Sequence, residues 1–195
     1  FIGDINGDGK DDLVVGAEYW DQGHTNEGVA RLYLGSAAGL GATEAWTVEG
    51  NQTSAFLGAA VGAAGDVDGD GFADVLVAAY MYDSGSTDEG KVWLFQGSAA
   101  GLSSTSSWST EANQSAAQLG FAAVGVGDVD GDGYEDVAVG AKKYDGSYTD
   151  EGKAWLFLGT SAGLGTAATW SATGGQTSAY FGSALGRAGD VNGDG

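Results

Sequence analysis

The sequence has no cysteine and no proline, a single histidine and a single methionine, and only seven lysines and arginines against 27 acids. Without cysteine there is no disulfide framework and no thiolate chemistry, and the redox compartment is left open. The lone histidine, His24, provides neither a catalytic triad nor a zinc site. Seven scattered basic residues at a net charge of −20 cannot form the clustered lysine and arginine that phosphate binding requires, which excludes nucleic acid and an anionic membrane surface as partners. No apolar run approaches the roughly 20 residues needed to span a bilayer, so membrane insertion is not expected, and no secretory leader is visible. Helix is unsupported as well: 37 of 195 residues are glycine, and no long stretch repeats its apolar residues at helical spacing.

What is present is a repeated acidic loop in a chain that is 43% hydrophobic, enough for one folded body over residues 1–195. In Asp66-Val67-Asp68-Gly69-Asp70-Gly71-Phe72-Ala73-Asp74, carboxylates stand at loop positions 1, 3, 5 and 9. A coiled backbone can turn Asp66, Asp68, Asp70 and Asp74 toward one point, and the carbonyl of Phe72 at position 7 adds a fifth oxygen. Oxygen-only donors favour Ca2+. Equivalent loops start at Asp4, Asp66, Asp128 and Asp190, 62 residues apart each time, giving units 4–65, 66–127 and 128–189 and a partial unit 190–195. Trp46, Trp108 and Trp170 keep the same step, as do Glu27, Glu89 and Glu151. Each unit is therefore one supersecondary module.

An EF-hand is excluded, because its position 12 requires a bidentate glutamate and here holds Val15, Val77 or Val139. Extracellular calcium modules bind at roughly 10⁻⁴ to 10⁻³ M, an affinity that leaves them empty in cytosol, so an extracellular or cell-surface location is expected. The absent initiator methionine, with both termini inside a repeat, predicts a segment of something longer.

Each unit reads as four strands: small and apolar Phe56–Gly65, the buried run Val75–Ala79, aromatic and branched Lys91–Gln96, and a more polar fourth strand near Ser107–Thr110. The fold class is all-β. Four short antiparallel strands at a fixed long period fit a β-propeller with one blade per unit and the acidic loops between strands 1 and 2.

The pairs Leu57-Gly58 and Phe181-Gly182, the pairs Gly16-Ala17 and Gly140-Ala141, and the loop D-x-D/N-x-D-G-x-x-D between them resemble FG-GAP repeats, those of the integrin α-subunit propeller and of many secreted bacterial proteins. The resemblance covers the whole chain. Leucine stands for the motif's phenylalanine at 57 and 119, its proline is missing, and Ala78 replaces its glycine. The resemblance implies Asp66, Asp68, Asp70, Asp74 and the carbonyl of Phe72 as calcium ligands in one loop, and Asp128, Asp130, Asp132, Asp136 and the carbonyl of Tyr134 in the next. In the first loop it implies Asp4, Asn6, Asp8, Asp12 and the carbonyl of Lys10; the neutral amide of Asn6 attracts a cation less than a carboxylate does. The fourth loop carries Asp190, Asn192 and Asp194 but stops before positions 7 and 9, and is expected to be empty or poorly ordered in isolation.

The resemblance also implies that the calcium loops lie on a lower face and that loops 21–28, 83–90 and 145–152 lie on an upper face that meets partners. Trp20, Tyr82, Tyr144 and Tyr148 with Glu27, Glu89 and Glu151 then form either a rim for a protein or glycan ligand or the internal fastenings of repeated turns. Trp46, Trp108, Trp170, Trp93 and Trp155 are expected to pack between blades rather than stack on sugars. Three functions remain open. The leading one is a non-catalytic, calcium-stabilised extracellular module for adhesion or binding. A second is a hydrolase or lyase acting on polysaccharide through paired carboxylates, opposed by the recurrence of its candidate glutamates in every unit. A third is an architectural repeat of a fibre or coat. Three units are too few for an ordinary ring, so the chain is expected either to pair with a second copy through its open edges or to belong to a longer propeller.

Overall fold

The computed structural model describes residues 2–189. Its strands fall into three successive antiparallel sheets. The first holds β1 (Leu13–Ala17), β2 (Val29–Tyr33) and β3 (Trp46–Glu49). The second holds β4 (Leu57–Gly65), β5 (Asp74–Ala79), β6 (Lys91–Phe95) and β7 (Trp108–Glu111). The third holds β8 (Leu119–Gly127), β9 (Asp136–Ala141), β10 (Lys153–Phe157) and β11 (Trp170–Thr173). Neighbours in sequence are neighbours in the sheet throughout, the meander of a propeller blade. The sheets do not close into a ring. A full blade spans residues 57–111 or 119–173, so a repeat counted from its acidic loop straddles two blades.

Strand β5 shows why its sequence is apolar without alternation. Every residue in it is buried, because each of its faces serves a different inter-blade core. Val75, Val77 and Ala79 pack with Ile5, Val14, Leu32 and Phe95 toward the first sheet. Leu76 and Ala78 pack with Val92, Leu94, Leu119, Val137 and Val139 toward the third. A strand buried on both sides reads as a continuous hydrophobic run. Edge strand β11 is mostly exposed and polar, as expected of an edge.

The small residues of the inner strands permit close approach. A methyl group built on Gly16 would lie 2.0 Å from the carbonyl oxygen of Gly58 in the next blade. In the second blade Ala78 occupies the corresponding position, and a Cβ built on Gly120 opposite would lie 2.8 Å from its methyl group. Strands β4 and β8 are each interrupted by register shifts after Leu57 and Leu119. Phe56, expected as the first residue of strand 1, instead has a positive φ of 56°, as Gln118 (58°) and Tyr180 (52°) do at the same corner, and so lies outside the strand. The strand expected after Phe181 is also not formed: among the described residues it makes one bridge, Gly152 to Phe181, because no second strand of this chain lies beside it.

Candidate metal centres

The second and third acidic loops each join the innermost strand of a blade to the next strand, and in all three described loops the backbone aims the side chains. In the second blade the carboxylate of Asp66 accepts hydrogen bonds from Gly69 N (2.8 Å), Asp70 N (3.0 Å) and Gly71 N (2.8 Å). Asp68 accepts from Asp70 N (3.2 Å), and Asp70 from Phe72 N (3.0 Å). Asp74 is fully buried at the head of β5, where one oxygen accepts from Val67 N (3.0 Å) and the other from Gly97 N (2.9 Å). It thus ties the start of the loop to the end of β6. The third blade repeats this: Asp128 accepts from Gly131, Asp132 and Gly133, Asp130 from Asp132 N, Asp132 from Tyr134 N, and Asp136 from Val129 N (2.7 Å) and Gly159 N (2.8 Å). The first loop follows the same plan with Asp4, Asn6 and Asp8, while Asp12 accepts from Ile5 N and Gly35 N. Lys10 Nζ turns to the carbonyl of Gly9.

Oxygens of Asp66, Asp68 and Asp74 lie within 4.8 Å of one another, as do those of Asp128, Asp130 and Asp136. Positions 1, 3 and 9 therefore converge in both loops, while Asp70 and Asp132 at position 5 are not in these groups. The first loop forms no such cluster of three acids, since Asn6 replaces the acid at position 3. Asp190, Asn192 and Asp194 lie outside the described residues.

The electrostatics are those of carboxylates without a counter-charge. Burial pushes the pKa of Asp74 up to about 7; hydrogen bonds from Gly97 and Val67 oppose this, and the charges of Asp68 and Asp70 add to it. Burial also raises Asp136 and Asp68, the latter with help from the charges of Asp70 and Asp66. At Asp4 burial acts upward too, but the N–H groups of Gly9, Gly7, Asp8 and Asn6 together outweigh it and hold the pKa low. The two ion pairs among the described residues, Lys91–Glu111 and Arg187–Glu135, engage none of these acids. An oxygen-only donor set, oriented in advance and lacking a neutralising side chain, fits a hard divalent cation.

Two features of the loops were not legible in the repeat. Gln96 donates its amide to Asp68, and the residues in its register, Leu34 and Leu158, cannot. The side chains at position 7 cover the loop of the preceding blade: a Cβ on Gly7 would lie 2.7 Å from the Phe72 ring, and one on Gly69 would lie 2.7 Å from the Tyr134 ring. Phe72 and Tyr134 thus lock adjacent loops together whatever their carbonyls do.

The opposite ends of the same strands carry the loops expected to meet partners. There Glu27, Glu89 and Glu151 are turned inward, each 1% exposed. Glu27 accepts from the backbone of Gln22, Gly23 and His24, Glu89 from Ser84 and Ser86, and Glu151 from Ser147 and Gly175. They hold their loops together. Tyr82 packs edge-on against Trp93 and Tyr144 against Trp155, with Lys91 and Lys153 over the respective pairs; Trp20 lies under Arg31. Tyr148 alone of the seven points outward, 48% exposed. The structure also assembles a row of rings that no spacing announced. Tyr19, Phe56, Tyr80 and Phe121 are in successive contact across three blades, with centroids 5.4–5.6 Å apart, and Lys142 covers Phe121.

A meander of four-stranded sheets with calcium-type loops between the first and second strands defines the class, and the profile of the FG-GAP repeat matches residues 2–33, 57–95 and 120–157. The chain belongs to the FG-GAP repeat family. Among curated proteins it is similar to integrin alpha-PS2 of Drosophila melanogaster, 36% identical over 155 residues (73% of this chain, 11% of that protein). It is also similar to human integrin alpha-IIb, 35% identical over 149 residues (72% and 14%), and to integrin alpha pat-2 of Caenorhabditis briggsae, 33% identical over 159 residues (73% and 13%). The chain thus spans about one-eighth of the length of these relatives.

Proposed function

We propose that this chain is a calcium-stabilised, non-catalytic propeller module of an extracellular or cell-surface protein, serving adhesion or the binding of a protein or glycan. The observation that carries the reading is the convergence of Asp66, Asp68 and Asp74, and of Asp128, Asp130 and Asp136, with the position-9 acid buried and tied to the sheet. Asp66, Asp68, Asp70, Asp74 and the carbonyl of Phe72 would hold one ion, and Asp128, Asp130, Asp132, Asp136 and the carbonyl of Tyr134 another. The first loop would hold a third through Asp4, Asn6, Asp8, Asp12 and the carbonyl of Lys10. Bound calcium supplies positive charge to a loop that otherwise repels itself, and clamps the inner strand to its neighbour.

Calcium at about tenfold above its dissociation constant adds roughly 1.4 kcal/mol per independent site. In a domain of this size each kcal/mol moves the melting temperature by roughly 2–4 °C. Removing calcium with a chelator is therefore expected to lower the melting temperature by several degrees, restored by added Ca2+. A melting temperature indifferent to both treatments would sink the reading.

Two observations support a non-catalytic upper face. Its candidate acids, Glu27, Glu89 and Glu151, are buried and occupied by backbone N–H groups. The ring row departs from the repeat: Tyr80 stands where the other blades have Glu18 and Lys142. A local exception to the repeat is what recognition of a partner requires.

A further inference from the structure

We infer that Phe72 and Tyr134 are positioning residues for calcium in the loop that precedes their own, so that neighbouring loops take up the ion together and not one by one. The inference rests on the calcium reading and adds to it a coupling between loops.

The contacts from one loop to the next are the same at both junctions inside the chain. At loop position 8, Ala73 N donates to the carbonyl of Asp4, and Glu135 N to that of Asp66, both at 3.1 Å. Asp4 and Asp66 stand at position 1 of the preceding loop, and the carboxylate of each accepts three N–H bonds within its own loop. At position 7, the Phe72 ring lies against Gly7 and the Tyr134 ring against Gly69, so near that a Cβ on either glycine would meet it at 2.7 Å. Both glycines have φ of 75°, which a side chain would also oppose. Gly7 N donates to Asp4 at 2.7 Å and Gly69 N to Asp66 at 2.8 Å. Each ring therefore presses on the turn that aims the position-1 carboxylate of its neighbour.

Beneath the loops a second line of links joins the position-9 acids. Asp12 accepts from Ile5 N at 2.9 Å, and Ile5 O accepts from Ser98 N of the next blade at 3.1 Å. Gly97 N, beside Ser98, donates to Asp74, whose other oxygen accepts from Val67 N. Val67 O accepts from Thr160 N at 3.1 Å, and Gly159 N beside it donates to Asp136. Ile5 and Val67 are fully buried, so these bonds are shielded from water.

Coupling follows from the double use of one residue. The carbonyl of Phe72 is the expected donor in its own loop, while its ring and the next N–H rest on the loop before. Filling the second loop fixes the backbone at residue 72 and with it the cover over the first. Fixing backbone costs roughly 1–2 kcal/mol per residue in conformational entropy, and a loop whose neighbour is already ordered has part of that cost met. Electrostatics act the other way, because an ion in one loop offsets some of the negative charge that draws the next. That effect is screened over a Debye length of about 8 Å at physiological salt, whereas the packing contacts are direct.

The test is a calcium titration of the 195-residue chain at about 0.15 M salt, followed by the NMR signals of the Gly9, Gly71 and Gly133 amides. Each donates to the position-1 carboxylate of its own loop and so reports that loop. In the parent we expect the three signals to change over one calcium range, more steeply than independent one-site curves. Phe72→Ala keeps every donor atom of the second loop, because the carbonyl is backbone. It is nevertheless expected to raise the calcium concentration for half-filling at Gly9 by roughly fivefold or more. Phe72→Tyr, which keeps a ring as at position 134, is expected to restore the parent's value. Asp70→Ala gives the reciprocal without touching the ring: by weakening the second loop it is expected to weaken the first, and to have no such effect on Gly9 in a Phe72→Ala background. One-site curves at all three amides of the parent, a Gly9 midpoint indifferent to Phe72→Ala, or an Asp70→Ala effect at Gly9 of equal size in both backgrounds would each overturn the inference while the calcium reading stands. Three amides unmoved by calcium would remove the calcium reading itself, and the coupling with it.

Discussion

Replacing Asp74 separates the two tasks that its position combines. Its carboxylate is expected to be a calcium donor, and it is also the acceptor for two buried N–H groups, Val67 N at 3.0 Å and Gly97 N at 2.9 Å. In Asp74→Ala both donors lose their partner inside the protein, at about 1–3 kcal/mol each. The variant should therefore lose roughly 2–6 kcal/mol even in chelator, or about 4 °C at the least. Asp70→Ala is the comparison. Its single internal bond, from Phe72 N, lies in an exposed loop where water can replace it. It should lose less than about 0.5 kcal/mol in chelator, but in calcium it should forfeit about the 1.4 kcal/mol of one site. Thermal unfolding of the parent and both variants, each in millimolar calcium and in chelator, gives the comparison. Equal melting temperatures of Asp74→Ala and Asp70→Ala in chelator would refute the double role of Asp74. Equal calcium responses of Asp70→Ala and the parent would remove Asp70 from the ligand set.

Glu27 should confer acid sensitivity. The hydrogen bond from Gly23, opposed by burial and joined by those from Gln22 and His24, holds its pKa below the usual range. Since the folded value lies below the unfolded one, the stabilisation is complete above the unfolded value of about 4.3 and is lost as pH falls through the folded value. Melting curves of Glu27→Gln, which keeps an acceptor oxygen, should accordingly fall less steeply below about pH 4.3 than those of the parent; parallel curves would contradict this assignment. On the upper face, Tyr80→Ala opens the middle of the ring row between Phe56 and Phe121. A ligand recovered from a panel of glycans and matrix proteins should lose affinity for this variant by tenfold or more, while calcium-dependent melting stays as in the parent. Retained affinity would move the binding surface elsewhere.

Much of this molecule could be read along the chain because the relevant physics is local. In a glycine-rich loop the acids at positions 1, 3 and 5 are oriented by bonds spanning five residues or fewer, as Asp66 is by Gly69, Asp70 and Gly71. Four strands per unit follow from short apolar runs separated by turns, and strand β5 lies within one residue of its expected span. The class of protein followed from the same motifs, which the FG-GAP profile matches in three segments.

What the sequence could not decide depends on which surfaces meet. Glutamates in a polar loop read equally as a binding rim or as fastenings; only the folded loop shows Glu27, Glu89 and Glu151 buried against N–H groups of residues that precede them in the same loop. The row from Tyr19 to Phe121 gathers residues from four separate stretches; it keeps their order along the chain, but only the packing of three blades brings them into contact. Three tryptophans at one constant step are identical in sequence, yet Trp108 is covered and Trp170 is bare. Trp46 and Trp108 each donate to a carbonyl of the next blade. Whether that blade is there is a property of the assembled structure, because burial belongs to pairs of surfaces and not to residues.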